Sequence, residues 1–129
     1  MEILLPCTHN EEAHCQLKVL SNYIYEYNKG VRRLILYTFN RRFLPQTLRR
    51  LRSQHIEYHV QDVDQRRVNI YFGRPECVRT IRHIITRPLN ELTPEQDFIL
   101  GTLLGYDLSL QCERYLGSSG ESMLERRNA

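Results

Sequence analysis

The apolar run from Leu34 to Phe39 constrains the fold more than any other feature of the chain, because only Thr38 interrupts it. Successive side chains of a strand point to opposite faces, so a strand that is apolar throughout must be covered on both sides. The run therefore predicts a central strand between two layers of other elements. A chain of 129 residues has room for one such domain and not for two independent cores.

Two later segments alternate between apolar and polar residues with the period of a half-buried strand. The apolar members are Ile56, Tyr58 and Val60 in the first segment and Val68, Ile70 and Phe72 in the second. The polar link between them, over 62–67, is short, which predicts that the two strands form an antiparallel hairpin.

The first helix is predicted over about 14–28, where apolar residues recur at helical spacing. Gly30 follows it as a residue that can take the left-handed conformation at a helix C-terminus. A strand is the alternative for the same segment, since three tyrosines alternate in it, at Tyr23, Tyr25 and Tyr27. In that case residues 28–30 form a hairpin loop.

Four more helices are predicted from residues that start or end helices. Two begin at Pro45 and Pro75, because proline suits the first turn of a helix. Thr93 and Gln96 match a capping box, in which each side chain bonds the backbone N–H of the other residue. The helix that starts there is expected to end at Gly105, and the last helix extends to about 116.

The order of these elements predicts an α+β fold, with a small mixed sheet of about three strands, helices packed on it and a helical C-terminal part. A strand, a short helix and a second strand normally form a parallel, right-handed unit. We therefore expect the first two strands to pair in parallel and the hairpin to add an antiparallel strand. The predicted organisation is a leader without regular structure over 1–14, one α+β domain over 15–117 and a polar, frayed tail over 118–129.

Charge is unevenly distributed along the chain. Residues 32–87 carry thirteen arginines against four carboxylates, a net charge of +9, whereas 1–31 carry −2 and 88–129 carry −4. Such asymmetry predicts a basic surface that faces either an acidic partner or the acidic ends of the chain itself. Because no apolar stretch reaches the roughly 20 residues of a membrane span and the start lacks a signal-peptide pattern, we expect a cytoplasmic protein that does not enter the membrane.

Two segments carry a resemblance to a known family. They are YIYEYNKGVRRL at 23–34 and FILGTLLGYD at 98–107, the second continued by QCERYL at 111–116. In the right order, they resemble a small bacterial family known as domain of unknown function two-thousand-and-twenty-three, and the resemblance covers about 18–117. It implies an association with flavodoxins, which are small acidic electron carriers, and it implies no catalytic residues.

The candidate partner-binding residues are five arginines in and around the predicted second helix: Arg41, Arg42, Arg49, Arg50 and Arg52. With Leu48 and Leu51 facing the core, most of these arginines must be exposed. Guanidinium groups suit carboxylates and phosphates, so the first hypothesis is a binding or accessory module for an acidic protein such as a flavodoxin. Nucleic acid is the alternative partner. Alternatively, the arginines form a solvated face whose positive charge is balanced by the acidic C-terminal helices, and no partner is involved.

A small enzyme is a further hypothesis. Alternation places Glu57, His59, Asn69 and Tyr71 on one face of the hairpin, opposite its apolar side chains. If the two strands pair, these polar groups converge, and His59 can carry a proton near neutral pH. A polar sheet surface, open or partly covered by a helix, explains the pattern without catalysis.

The leader contains residue types that bind metals, in the pattern C-x-H-x4-H-C formed by Cys7, His9, His14 and Cys15. The spacing matches no zinc finger or ribbon, so a leader without metal is the alternative, and we expect no cofactor. Cys77 falls in the first turn of a helix near arginines, which would make it reactive. It also lies on an apolar face, which predicts a buried structural thiol, and the same reasoning applies to Cys112.

Overall fold

The structure is a computed structural model that describes residues 9–119. The three strands are β1 (Leu34–Asn40), β2 (Glu57–Asp62) and β3 (Arg67–Gly73). The five helices are α1 (His9–Asn28), α2 (Leu44–Ser53), α3 (Pro75–Ile84), α4 (Pro94–Leu103) and α5 (Leu108–Ser119). Short 3₁₀ helices occupy Arg41–Phe43 and Leu89–Glu91. The predicted α+β class with a three-stranded sheet is confirmed. None of the described helices is long and apolar enough to cross a membrane.

The sheet has the strand order β1-β3-β2, and both neighbouring pairs are antiparallel. β1 and β2 run in the same direction, as a strand–helix–strand unit requires, but β3 lies between them. The predicted parallel pairing of β1 with β2 is therefore wrong, and so is the central position of β1. β3 takes that position because six of its seven residues are buried, whereas β2 is only half-buried and tolerates an edge.

Helices cover the sheet on both sides and create a core on each. On one side, Leu20 of α1 and Leu51 of α2 pack against Ile35, Ile70 and their neighbours. On the other side, α3 and α4 pack against residues of β1 and β3, among them Leu34 and Tyr71. β1 is thus buried on both faces, as its apolar run predicts, although it lies at the edge of the sheet.

α1 confirms the helical interpretation of the tyrosine segment and differs from it in where it begins. It starts at His9, so the last part of the predicted leader is helical. It ends in a Schellman motif, in which the Gly30 N–H donates to the Tyr27 carbonyl and the Val31 N–H to the Glu26 carbonyl, each at 3.0 Å. Gly30 has φ +76°, the conformation for which glycine was expected there. The rest of the leader and residues 120–129 lie outside the described residues.

The capping box at the start of α4 is confirmed. The Thr93 hydroxyl accepts from the Gln96 N–H at 3.1 Å, and the Gln96 side-chain oxygen accepts from the Thr93 N–H at 3.0 Å. Gln96 Nε2 also donates to the Ile84 carbonyl at 2.9 Å, which ties the start of α4 to the end of α3. The side chain of Gln96 therefore helps to hold α4, the first of the two C-terminal helices, against the rest of the fold.

Candidate functional site

The orientation of α2 decides which of its arginines reach solvent. Thr47 and Leu51, four residues apart on one stripe of the helix, are fully buried. Arg49 and Arg52 are exposed, and Arg50 is half-buried at the side that faces α1. The arginines of α2 therefore lie outside the core, as the amphipathic pattern predicts.

Arg41 and Arg42 precede α2, and both are paired with carboxylates of the same chain. Arg41 Nη1 lies 2.9 Å from Asp62 Oδ1 at the end of β2. Arg42 forms an ion pair with Glu12 of α1. The charges of these two candidates are compensated, so they are less available to a partner than the arginines of α2.

Arg49, Arg50 and Arg52 have no carboxylate of the described chain within ion-pair distance. Arg50 Nη2 donates to Ser21 Oγ at 3.0 Å, and Arg52 Nε donates to the Tyr58 hydroxyl at 2.8 Å. These neutral contacts hold two guanidinium groups in place and leave their charges uncompensated. We call Arg49, Arg50 and Arg52 the α2 basic surface.

A groove of about 440 Å³ between α1 and α2 adjoins the α2 basic surface. Its lining contains no carboxylate and consists of His14, Leu17, Lys18, Ser21, Asn22 and Arg50. Of the five predicted arginines, Arg50 lines this groove, together with Lys18 of α1. The sequence alone does not indicate this lysine, because helical spacing shows that it is exposed but not which helix lies beside it.

The four polar candidates of the hairpin share one sheet face, next to α3. Glu57 Oε1 lies 3.4 Å from Arg79 Nε and 3.9 Å from Arg82 Nη1, so α3 holds this carboxylate. The His59 ring packs near the Tyr71 ring, with centroids 5.9 Å apart. No side chain in the described range hydrogen-bonds the His59 imidazole. The four groups are thus neighbours without forming a proton relay.

Gln61, which the sequence analysis left out of this cluster, lies at its centre. Its Oε1 accepts from the Tyr71 hydroxyl at 2.8 Å and from Asn69 Nδ2 at 3.2 Å, and its Nε2 donates to the Arg87 carbonyl at 2.9 Å. Asn69 and Gln61 line a cleft of about 360 Å³, whereas His59 and Tyr71 do not. Period-two alternation and the hairpin register place Gln61 opposite Asn69, so the sequence carried the signal.

The His59 imidazole is expected to favour its neutral form. Burial, and then the positive charge of Arg82, lower the pKa of this group below its ordinary value. In the unfolded chain the His59 imidazole binds a proton near pH 6.5, whereas in the folded protein it stays neutral to lower pH. The free energy of unfolding should therefore fall as the pH drops below about 6.5. Urea unfolding of the wild type and of His59→Asn between about pH 7.5 and 5.5 measures this dependence.

The matched control is His55→Asn. His55 is exposed and has φ +57°, a conformation that asparagine tolerates. The free energy of unfolding of His55→Asn should fall at acidic pH as much as that of the wild type. That of His59→Asn should fall less. Equal pH dependence in the wild type and in His59→Asn would contradict the assignment.

The metal-binding hypothesis for the leader depends on residues that the structure describes only in part. Cys7 lies outside the described residues, and the described chain begins with His9 at the start of α1. His14 and Cys15 are exposed neighbours on α1. Within 9–119, no three side chains of histidine, cysteine, aspartate or glutamate are grouped closely enough to hold a metal ion.

The two downstream cysteines occupy different environments. Cys77 lies in the first turn of α3 and is buried in the core, and burial raises the pKa of its thiol, with a smaller raising effect from Glu76. It is therefore the structural thiol that its apolar face predicts. Cys112 is only half-buried, and it lines an apolar crevice of about 470 Å³ between α4 and α5 together with Phe98, Tyr115 and others.

These observations define a small α+β domain in which helices cover both faces of an antiparallel sheet and one helix presents uncompensated arginines. The chain belongs to the family described as "Protein of unknown function (DUF2023)", which matches residues 18–118. This match confirms the resemblance and covers the domain from α1 to α5. A search of the curated proteins found no match to the chain.

Proposed function

We propose that this protein is a cytoplasmic, non-catalytic accessory module that binds an acidic protein through the α2 basic surface. The observation that carries the proposal is the contrast between two groups of arginines. Arg41 and Arg42 are neutralised by Asp62 and Glu12, whereas the three arginines of α2 have no described carboxylate beside them. An arginine surface that the fold leaves uncompensated is complementary to a carboxylate-rich one.

Preorganisation supports the proposal. Hydrogen bonds to Ser21 and Tyr58 fix Arg50 and Arg52 before any partner arrives. Less side-chain freedom is then lost when the complex forms, which favours binding. Lys18 extends the surface across the neighbouring groove.

The size of the surface favours a protein over a nucleic acid. Affinity for DNA depends on how many phosphates a protein neutralises, and the α2 basic surface and Lys18 together supply only four cations. A flavodoxin is the first partner to test, because the family resemblance implies that association and flavodoxins are acidic.

The test is a calorimetric titration with a flavodoxin from the organism that encodes this chain. Replacing Arg49, Arg50 and Arg52 together by Gln should weaken binding by about 3-fold to 150-fold, since each of the three exposed charge contacts contributes about 0.2–1 kcal/mol. Binding by the wild type should also weaken between about 20 and 300 mM salt.

The matched control replaces Arg32, Arg33 and Arg74 by Gln. It removes the same number of arginines from a place outside α2, where β1 begins and β3 ends, so it lowers the overall charge equally without touching α2. Equal losses in the two triple variants would contradict docking at α2. Absence of salt-sensitive binding would exclude flavodoxin, and tighter binding to a DNA duplex than to flavodoxin would favour the nucleic-acid alternative.

A further inference from the structure

A second group of arginines lies at the end of the sheet where β1 begins and β3 ends. Three connections meet there: the turn between α1 and β1, the junction between β3 and α3, and the turn between α4 and α5. The first connection supplies Arg32 and Arg33, and the second supplies Arg74. Residues far apart in the chain are thus neighbours at this place.

The backbone fixes Arg33 and Arg74 next to each other. The Arg74 N–H donates to the Arg33 carbonyl at 2.9 Å. Gly73 makes this approach possible, because a Cβ at that position would lie 2.3 Å from the same carbonyl oxygen. The backbone that carries the two arginines is therefore held by this hydrogen bond and by the close approach at Gly73.

The three arginines line a depression of about 400 Å³. Its lining contains no carboxylate and consists of Tyr27, Asn28, Gly30, Arg32, Arg33 and Arg74. Arg32 is paired with Glu26 at 3.0 Å, and Arg74 lies 3.5 Å from Glu76, whose side chain is largely exposed. Arg33 has no described carboxylate within ion-pair distance. α3 begins directly after Arg74, so the positive end of its dipole adds to this potential.

A second depression of about 430 Å³, lined by both polar and apolar groups, continues from the first one and shares Gly30, Arg32 and Arg33 with it. The remaining lining residues are Val31, Leu103, Leu104, Gly105 and Tyr106. Val31 and Tyr106 are 70% and 59% exposed, so both side chains are accessible to a ligand. A cationic subsite and an apolar, aromatic subsite are therefore adjacent.

We propose that this end of the sheet binds a small phosphate monoester, with the phosphate between Arg32, Arg33 and Arg74 and an apolar or aromatic group against Val31 and Tyr106. Three guanidinium forks from different directions suit the three terminal oxygens of a phosphate. A monoester carries a charge of about −1.5 to −2 at pH 7, so it can pair with Arg33, which has no described carboxylate within ion-pair distance, and draw Arg74 away from the exposed Glu76, whose Oε1 lies 3.5 Å from Arg74 Nη1. A carboxylate ligand carries only one charge for the same two groups. This site is separate from the α2 basic surface.

The test is a titration of the full chain with phenyl phosphate and, separately, with inorganic phosphate, followed by amide and arginine side-chain NMR signals. Phenyl phosphate should shift the signals of Arg33, Arg74 and Tyr106 and bind about tenfold more tightly than inorganic phosphate, because its ring removes apolar surface from water. Binding should strengthen as the pH rises through about 6, where the second phosphate proton dissociates.

Two variants separate the subsites. Replacing Arg33 and Arg74 by Gln should weaken both ligands at least about tenfold. Tyr106→Ala should remove the preference for phenyl phosphate and leave inorganic phosphate unchanged. Replacing Arg49 and Arg50 by Gln is the control, since it removes two arginines from α2 and should change neither affinity.

Three results would overturn the proposal. The first is the absence of saturable shifts of the NMR signals at this end of the sheet. The second is equal affinity in the wild type and in the variant without Arg33 and Arg74. The third is shifts at α2 as large as those at this end, which would indicate general attraction of anions. Retention of the preference for phenyl phosphate in Tyr106→Ala would overturn the aromatic subsite. Thermal unfolding of each variant confirms that it is folded before its affinity is compared.

Discussion

Replacing Gly73 by alanine is expected to lower the free energy of unfolding by about 2–4 kcal/mol. Gly73 has φ +149°, a region that side chains rarely allow. A Cβ there would lie 2.3 Å from the Arg33 carbonyl oxygen and 3.0 Å from the Leu34 Cα. Both are backbone atoms at the start of the paired strand β1, the first from the residue just before it, and Leu34 is fully buried, so neither can move without disturbing the sheet.

Urea unfolding of Gly73→Ala measures this loss, and Gly30→Ala is the matched control. Gly30 also has a positive φ, +76°, but nothing lies within 4 Å of the position of its Cβ. It should therefore show only the cost of the left-handed conformation, about 1–2 kcal/mol. If Gly73→Ala were no less stable than Gly30→Ala, the contact with Arg33 would have no energetic importance.

Alkaline pH is expected to destabilise the protein steeply, because of two tyrosines. Burial raises the pKa of the Tyr37 hydroxyl and the pKa of the Tyr71 hydroxyl. Above about pH 10 the unfolded chain releases both protons while the folded protein retains them, so stability falls as the pH rises. With two protons involved, the free energy of unfolding should decrease by about 2.7 kcal/mol per pH unit in this range.

Two variants test the assignment of this slope. Tyr37→Phe and Tyr71→Phe should each remove about half of it when unfolding is followed from about pH 9 to 11. At neutral pH, Tyr71→Phe should cost only about 1 kcal/mol, the contribution of the hydrogen bond to Gln61. A slope that persists unchanged in the double variant would show that other groups cause the alkaline transition.

The sequence predicted the elements of the fold better than their arrangement. Alternation identified both strands of the hairpin, but it could not show which of them pairs with β1. The decisive difference was present in the composition, since 68–73 contain no charged residue, whereas β2 carries Glu57, His59 and Asp62. Fewer charges suit the position between two strands, and more charges suit an edge.

The candidate sites show the same limit. Helical spacing correctly placed Arg49 and Arg52 on the exposed surface of α2. It could not show that Glu12 and Asp62, distant in the chain, neutralise Arg42 and Arg41. Whether a charge is compensated depends on tertiary contacts, and for this reason the depression at Arg33 and Arg74 was not predicted either.

The strand order has a consequence for synthesis on the ribosome. Leu34 pairs with Gly73, and β3 is both the last strand to emerge and the one that joins the other two. Until β3 has left the exit tunnel, β1 and β2 lack the strand that pairs with them. Their apolar side chains then stay exposed to solvent or are bound by chaperones. Before that point, regular structure in the nascent chain is limited to its helices, and both strand pairs depend on the emergence of β3.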